Sequence, residues 1–119
     1  MGYESRIYVA KKENFIDERV GLRYAQKIAC VNMSVFPCLS SVFKKQTDCY
    51  IYADDGDTVI TKDKYGNPLT EAPLSDVVKF LEDEVQRGET YRRIKPLLGL
   101  LKSFDESQWK NLVCLHYGY

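Results

Sequence analysis

The chain has one histidine, His116, and only four prolines and seven glycines in 119 residues. A single imidazole excludes any site that needs two from one chain. So little proline and glycine excludes collagen-like and Pro/Gly-rich low-complexity chains. The longest strongly apolar stretch, near residues 97–101, is far short of the roughly twenty residues that cross a bilayer. Four cysteines are present, Cys30, Cys38, Cys49 and Cys114, but no two lie within four residues of each other. Zinc ribbons and fingers need such pairs, so no metal site is expected; free thiols in a reducing compartment are. The opening Met1-Gly2-Tyr3-Glu4-Ser5 has no apolar targeting region. Arg6 stands where N-myristoylation needs Ser or Thr. A cytoplasmic protein without membrane contact is the expectation.

Net charge is also absent, but only as an average. Seventeen Lys and Arg balance seventeen Asp and Glu. Residues 48–90 hold eleven acids and four bases, a net −7, while residues 1–47 sum to +4 and residues 91–119 to +3. A negative middle between positive ends either complements itself or offers a negative face to a basic partner.

What is present is a core. The chain is 45% hydrophobic and carries nine Tyr and five Phe. One domain over 1–119 is expected, with no repeat or linker. Ser5–Lys11 reads as a first strand. Glu13–Lys27 has partly helical apolar spacing, weakened by Gly21. Residues 29–36 alternate apolar and polar and read as a strand that Pro37 ends. Cys38–Lys45 reads as a short turn or helix. Asp48–Ala53 and Thr58–Lys62 flank Asp54-Asp55-Gly56-Asp57, a hairpin. Tyr65-Gly66-Asn67-Pro68 is a second turn. Pro73 suits a helix start, with Ser75 or Asp76 as cap. Leu74, Val77, Val78, Leu81 and Val85 form one apolar stripe that Gly88 ends. Thr90 caps a further helix, which Pro96 restarts or kinks. Leu97–Phe104 reads as a buried helix, 105–109 as one more turn, and Leu112–Tyr117 as a closing strand. The class is α+β: an antiparallel sheet of four to five strands with two to three helices on one face.

Few residues offer chemistry. Tyr52-Ala53-Asp54-Asp55 is similar to the Tyr-x-Asp-Asp turn of reverse transcriptases, where paired carboxylates hold magnesium. A palm domain needs another aspartate strand and far more chain. A turn built from Asp and Gly is the plainer reading, with a weak cation site at Asp54, Asp55 and Asp57 as the variant. Cys114 and His116 share a strand face, but no orienting group or oxyanion hole accompanies them, so no enzyme and no cofactor are expected. Glu82, Asp83 and Glu84 sit beside the apolar stripe and should project to water. Joined to Asp54, Asp55 and Asp57, they form a candidate acidic partner-binding surface. Tyr91, Arg92, Arg93 and Lys95 form a basic cluster that either neutralises the preceding helix or binds nucleic acid. Trp109, Tyr117 and Tyr119 are possible interface anchors or core and lid residues.

Four segments carry a resemblance: residues 1–9, residues 48–57, Gly88-Glu89-Thr90-Tyr91-Arg92-Arg93-Ile94, and Leu115-His116-Tyr117-Gly118-Tyr119. Together they resemble a group of small uncharacterised proteins of phages and prophages of Gram-positive bacteria. The resemblance assigns no catalytic residue. It implies a small binding protein that blocks a host defence protein, such as an anti-CRISPR acting on a Cas nuclease or its guide-RNA complex. Many such inhibitors are acidic, and this chain is neutral. A nucleic-acid-binding accessory using residues 91–95 is the alternative.

Overall fold

The computed structural model describes residues 5–33, 41–88 and 94–118. In chain order it has β1 (Ser5–Asp17), β2 (Leu22–Met33), β3 (Lys45–Gln46), β4 (Cys49–Tyr52), β5 (Val59–Ile60), β6 (Thr70–Pro73), α1 (Leu74–Gln86), α2 (Ile94–Lys102), a 3-10 helix (Glu106–Asn111) and β7 (Leu112–Gly118). The class is mixed α+β. Among the described residues the sheet has seven strands in the order β3-β6-β7-β1-β2-β4-β5, more than the four to five expected. The extra strands are two-residue pieces, too short to leave an alternating pattern. One pair, β2 with β4, is parallel; the others are antiparallel.

The segment 13–27, ambiguous from its spacing, is strand–turn–strand. β1 runs on to Asp17 and returns as β2. Gly21 adopts φ +78°, a left-handed conformation suited to glycine, and its N–H donates to the Asp17 carbonyl at 2.7 Å. The Arg19 backbone and guanidinium both donate to the Asp17 carboxylate. The register slips between Lys12 and Ile16 and again between Val9 and Ala10. Such irregularities break a period of two, which is why the apolar spacing looked partly helical.

The sheet must curl. Gln46 ends β3 and Cys49 begins β4, so three Cα steps span at most about 11 Å. In a flat sheet five strand spacings would hold them about 24 Å apart. Adjacent residues make the join: Thr47 N–H donates to the Leu69 carbonyl before β6, while the Asp48 carbonyl accepts from Arg23 N–H in β2.

Curling creates two cores. Ile7, Val9, Ala72, Leu112 and Cys114 on one face pack against Leu74, Val77, Val78 and Leu81 of α1 and Ile94, Leu97 and Leu101 of α2. Inside the curl lie Tyr8, Ala10, Ala25, Cys49, Ile51, Leu69 and Leu115. β1 alternates between the two cores, which explains its four successive buried residues from Ile7 to Ala10.

The expected stripe on α1 holds, with Val85 half-buried. α1 springs directly from the strand at Pro73, with no side-chain cap, so neither Ser75 nor Asp76 caps it. Pro96 sits in the first turn of α2, where its missing N–H costs nothing. The turn expected at 105–109 is the 3-10 helix, which Asp105 caps by accepting from Ser107 N–H. Trp109 is half-buried against the helical core and donates its indole N–H to the Phe104 carbonyl at 2.9 Å. No helix among the described residues is long and apolar enough to cross a membrane. Pro37, Cys38, Thr90 and Tyr119 lie outside the described residues.

Candidate functional site

A groove of about 390 Å³ opens along β1 and β2, lined by Arg6, Tyr8, Lys27, Ile28, Ala29, Cys30, Asn32 and Asp54. Strand pairing explains the set. Arg6 faces Asn32 across the ladder and Tyr8 faces Cys30, so these four project from one face. Asp54 arrives from the β4–β5 hairpin. Arg6 lies over the rings of Tyr8 and Tyr117, at 6.0 and 5.9 Å from their centroids. Its Nε donates to Asn32 Oδ1 at 2.9 Å and a terminal nitrogen donates to the Tyr8 hydroxyl at 3.1 Å. Lys27 Nζ stands 5.3 Å from the Tyr8 centroid and reaches Asp54 at 3.4 Å. Cations over a tyrosine face are attracted by its quadrupole, more strongly as water is excluded. Burial pushes the Cys30 thiol upward in pKa, so its reactive thiolate is scarce.

The predicted hairpin is present: Ile51 pairs with Ile60 and Tyr52 with Val59. Its carboxylates are not equivalent. Asp55 accepts from the Asp57 and Thr58 N–H groups and from the Thr58 hydroxyl. Bonds from Thr58 foremost hold its carboxyl down to about 2. Asp55 is therefore a turn residue. Asp54 carries the Lys27 contact, and Asp57 is exposed.

The acids of α1 do not all project to water. Glu84 is only 3% exposed and pairs with Arg87 at 3.1 Å. The expectation that it faces solvent is corrected: it follows Leu81 by three residues and shares its buried side. Glu82 pairs with Lys102 of α2 at 3.1 Å. Asp83 is exposed. Four of the six predicted carboxylates are thus engaged by the chain's own groups. α1 packs on β6 and β7, whereas the hairpin follows β2 in the strand order. Of the basic cluster, Lys95 is exposed on the first turn of α2; Tyr91, Arg92 and Arg93 lie outside the described residues.

Cys114 and His116 do share a strand face, but Cys114 is fully buried and burial pushes its thiol up to about 12. His116 Nε2 lies 2.8 Å from Ser5 Oγ, and its ring sits 5.6 Å from that of Phe43. Burial lowers the His116 pKa, with the Asp63 charge opposing. Ser5 was not singled out from sequence. Its only signal is the β1–β7 pairing, which sets Ser5 opposite Gly118 and diagonal to His116. Among the described residues no group of three or more His, Cys, Asp or Glu could hold a metal ion.

Two further features escaped sequence reasoning. Phe15 and Ile16 are 64% and 61% exposed near the end of the β1–β2 hairpin. Arg6 and Lys27, placed far apart in sequence, both lie against the Tyr8 ring. Comparison of the chain with protein-family models, curated proteins and solved structures found no match.

Proposed function

We propose that this chain is a phage-encoded, non-catalytic binding protein that engages and inhibits a host defence protein, with a Cas9-type nuclease as the first partner to test. The observation that carries the binding reading is the exposed pair Phe15 and Ile16 near the end of the β1–β2 hairpin. Their neighbours Asn14, Glu18 and Arg19 are exposed and polar. An apolar centre with a charged rim is the common build of a protein interface, and aromatic residues are its frequent anchors. The resemblance to small phage proteins supplies the host-defence context.

The contact surface differs from an all-carboxylate decoy. With Asp55 held in its turn and Glu82 and Glu84 in ion pairs, the apolar pair supplies affinity. Asp54, Asp57 and Asp83 act as steering charges. The test is nuclease cleavage in the presence of the protein and of its Phe15→Ser/Ile16→Ser variant. Losing both side chains from an interface costs about 2 kcal/mol or more, roughly thirtyfold in affinity. Inhibition unchanged by that double substitution removes the hairpin from the interface. Binding of bare DNA or RNA in a gel shift, weakening as salt rises, favours the nucleic-acid accessory instead.

A further inference from the structure

Three tyrosine rings meet where β4 joins β2. Tyr50 and Tyr52 lie two residues apart on β4 and so share a face. Tyr24 of β2 stands opposite Tyr50 in the parallel pair. The ring centroids are 5.6 Å apart for Tyr24 and Tyr50, 5.5 Å for Tyr24 and Tyr52, and 5.6 Å for Tyr50 and Tyr52. Every ring thus touches the other two. Tilted and edge-on packing of this kind is favourable by itself; a bond at one corner adds chemistry. The Tyr50 hydroxyl donates to the Asp17 carboxylate at 2.6 Å, a short charge-assisted bond. Arg19 foremost holds the Asp17 carboxyl well below the usual carboxylate range, so it is ionised and able to accept. The bond to Asp17 foremost raises the Tyr50 pKa, so the phenol keeps its proton at neutral pH.

These are the parts of a one-electron oxidation site. A phenol gives up an electron readily only when its proton leaves too, because the protonated radical is a very strong acid. Asp17 is a fixed destination for the Tyr50 proton. Rings in contact let the electron vacancy pass from one to the next. Tyr50 is 2% exposed, whereas Tyr24 and Tyr52 are half-buried and meet solvent.

We propose that this trio is an oxidative modification site: a one-electron oxidant, such as a peroxide-derived radical, joins Tyr24 to Tyr52 as dityrosine, with Tyr50 and Asp17 as the relay. Oxidation of Tyr50 sends one electron to the oxidant and the phenolic proton to Asp17. The Tyr50 radical then takes an electron from a neighbouring ring and its proton returns from Asp17, so Tyr50 ends unchanged. The neighbour's phenolic proton goes to water. A second oxidant repeats the cycle on the other neighbour. The two phenoxyl radicals form a carbon–carbon bond between ring positions ortho to oxygen, and the hydrogens on those carbons move to the oxygens. In sum the oxidant gains two electrons, water gains two protons, and the chain loses two hydrogens. The new bond ties β2 to β4, which pair through Arg23–Cys49 and Tyr24–Tyr50. By closing a loop in the unfolded chain it also raises stability.

The test exposes the full chain, at high dilution, to a photogenerated ruthenium(III) complex as one-electron oxidant. Dityrosine fluorescence reads the product and peptide mass spectrometry locates it. Expected are a monomer lighter by two hydrogens, a link between the peptides that hold Tyr24 and Tyr52, and a raised urea midpoint. The product disappears in Tyr24→Phe and in Tyr52→Phe. Tyr50→Phe and Asp17→Asn keep the side-chain shapes and slow the reaction roughly tenfold, the scale of one hydrogen bond to a charged group. Circular dichroism checks that each variant is folded. Absence of product, a link at any other tyrosine pair, or a product that forms only between molecules overturns the proposal. Unchanged rates in both Tyr50→Phe and Asp17→Asn overturn it as well.

Discussion

Lys12 Nζ lies 2.9 Å from Glu71 Oε1, joining β1 to β6 across the inside of the curled sheet. The same ammonium reaches Asp48 at 2.8 Å, so one lysine ties β1 to both joined ends of the sheet. Burial acts to lower the Lys12 pKa, but the bonds from Asp48 and Glu71 outweigh it and the net shift is upward. Glu71 is buried, and a buried carboxylate without its partner is costly.

Replacing Lys12 by methionine keeps the stem and removes the charge. Because Glu71 then stays buried and unpaired, Lys12→Met lowers stability by about 3 kcal/mol. Urea unfolding measures it. The double variant Lys12→Met/Glu71→Leu recovers most of that loss, because it leaves no orphaned charge.

Acid should destabilise the fold over a defined window. Lys12 foremost holds the Asp48 carboxyl down to about 2, and Thr58 foremost holds Asp55 to about 2, against an ordinary 3.8. A carboxyl depressed in the folded state stabilises it above the unfolded pKa, and this contribution is lost as pH falls through the folded pKa. Stability therefore declines between about pH 4 and about pH 2. Thermal unfolding across that range measures the slope, and Asp48→Asn flattens it.

Two glycines respond in opposite directions to alanine. Gly56 at the hairpin tip has φ +79°, where a Cβ is strained, so Gly56→Ala costs about 1 kcal/mol. Gly99 lies within α2, and a Cβ there meets nothing within 4 Å. Gly99→Ala therefore gains about 0.7 kcal/mol from helix propensity. Denaturation midpoints of the two variants should move apart from that of the parent.

Thiol reactivity should follow burial. Cys49 and Cys114 are buried, with thiols pushed up to about 11 and about 12. Cys30 is exposed. Brief iodoacetamide treatment at pH 8 should alkylate Cys30 well before Cys49 or Cys114, as read by peptide mass spectrometry; urea should abolish the difference.

Local chemistry made much of this fold legible in the residues. The Asp54-Asp55-Gly56-Asp57 hairpin follows from turn preference, because Asp55 can bond its own following backbone and Gly56 tolerates a positive φ. The α1 stripe from Leu74 to Leu81 follows from helical period, and β7 from a β-prone apolar run. The curl was not legible. It depends on β3 and β4 meeting opposite ends of one sheet, and two-residue strands carry no period of their own.

The candidate site divides along the same line. Charge counting locates a negative segment but cannot say which carboxylates face water, because Glu84 shares a side with Leu81 and Asp55 turns back on Thr58. Phe15 and Ile16 sit in a segment of ambiguous spacing, and the sequence does not say that both stand in solvent. Arg6, Lys27 and Asp54 have no local pattern in common. Short-range preferences act between neighbours along the chain, so turns and helical faces were decided there. The groove and the Lys12–Glu71 link needed long-range strand pairing, which only the folded chain supplies.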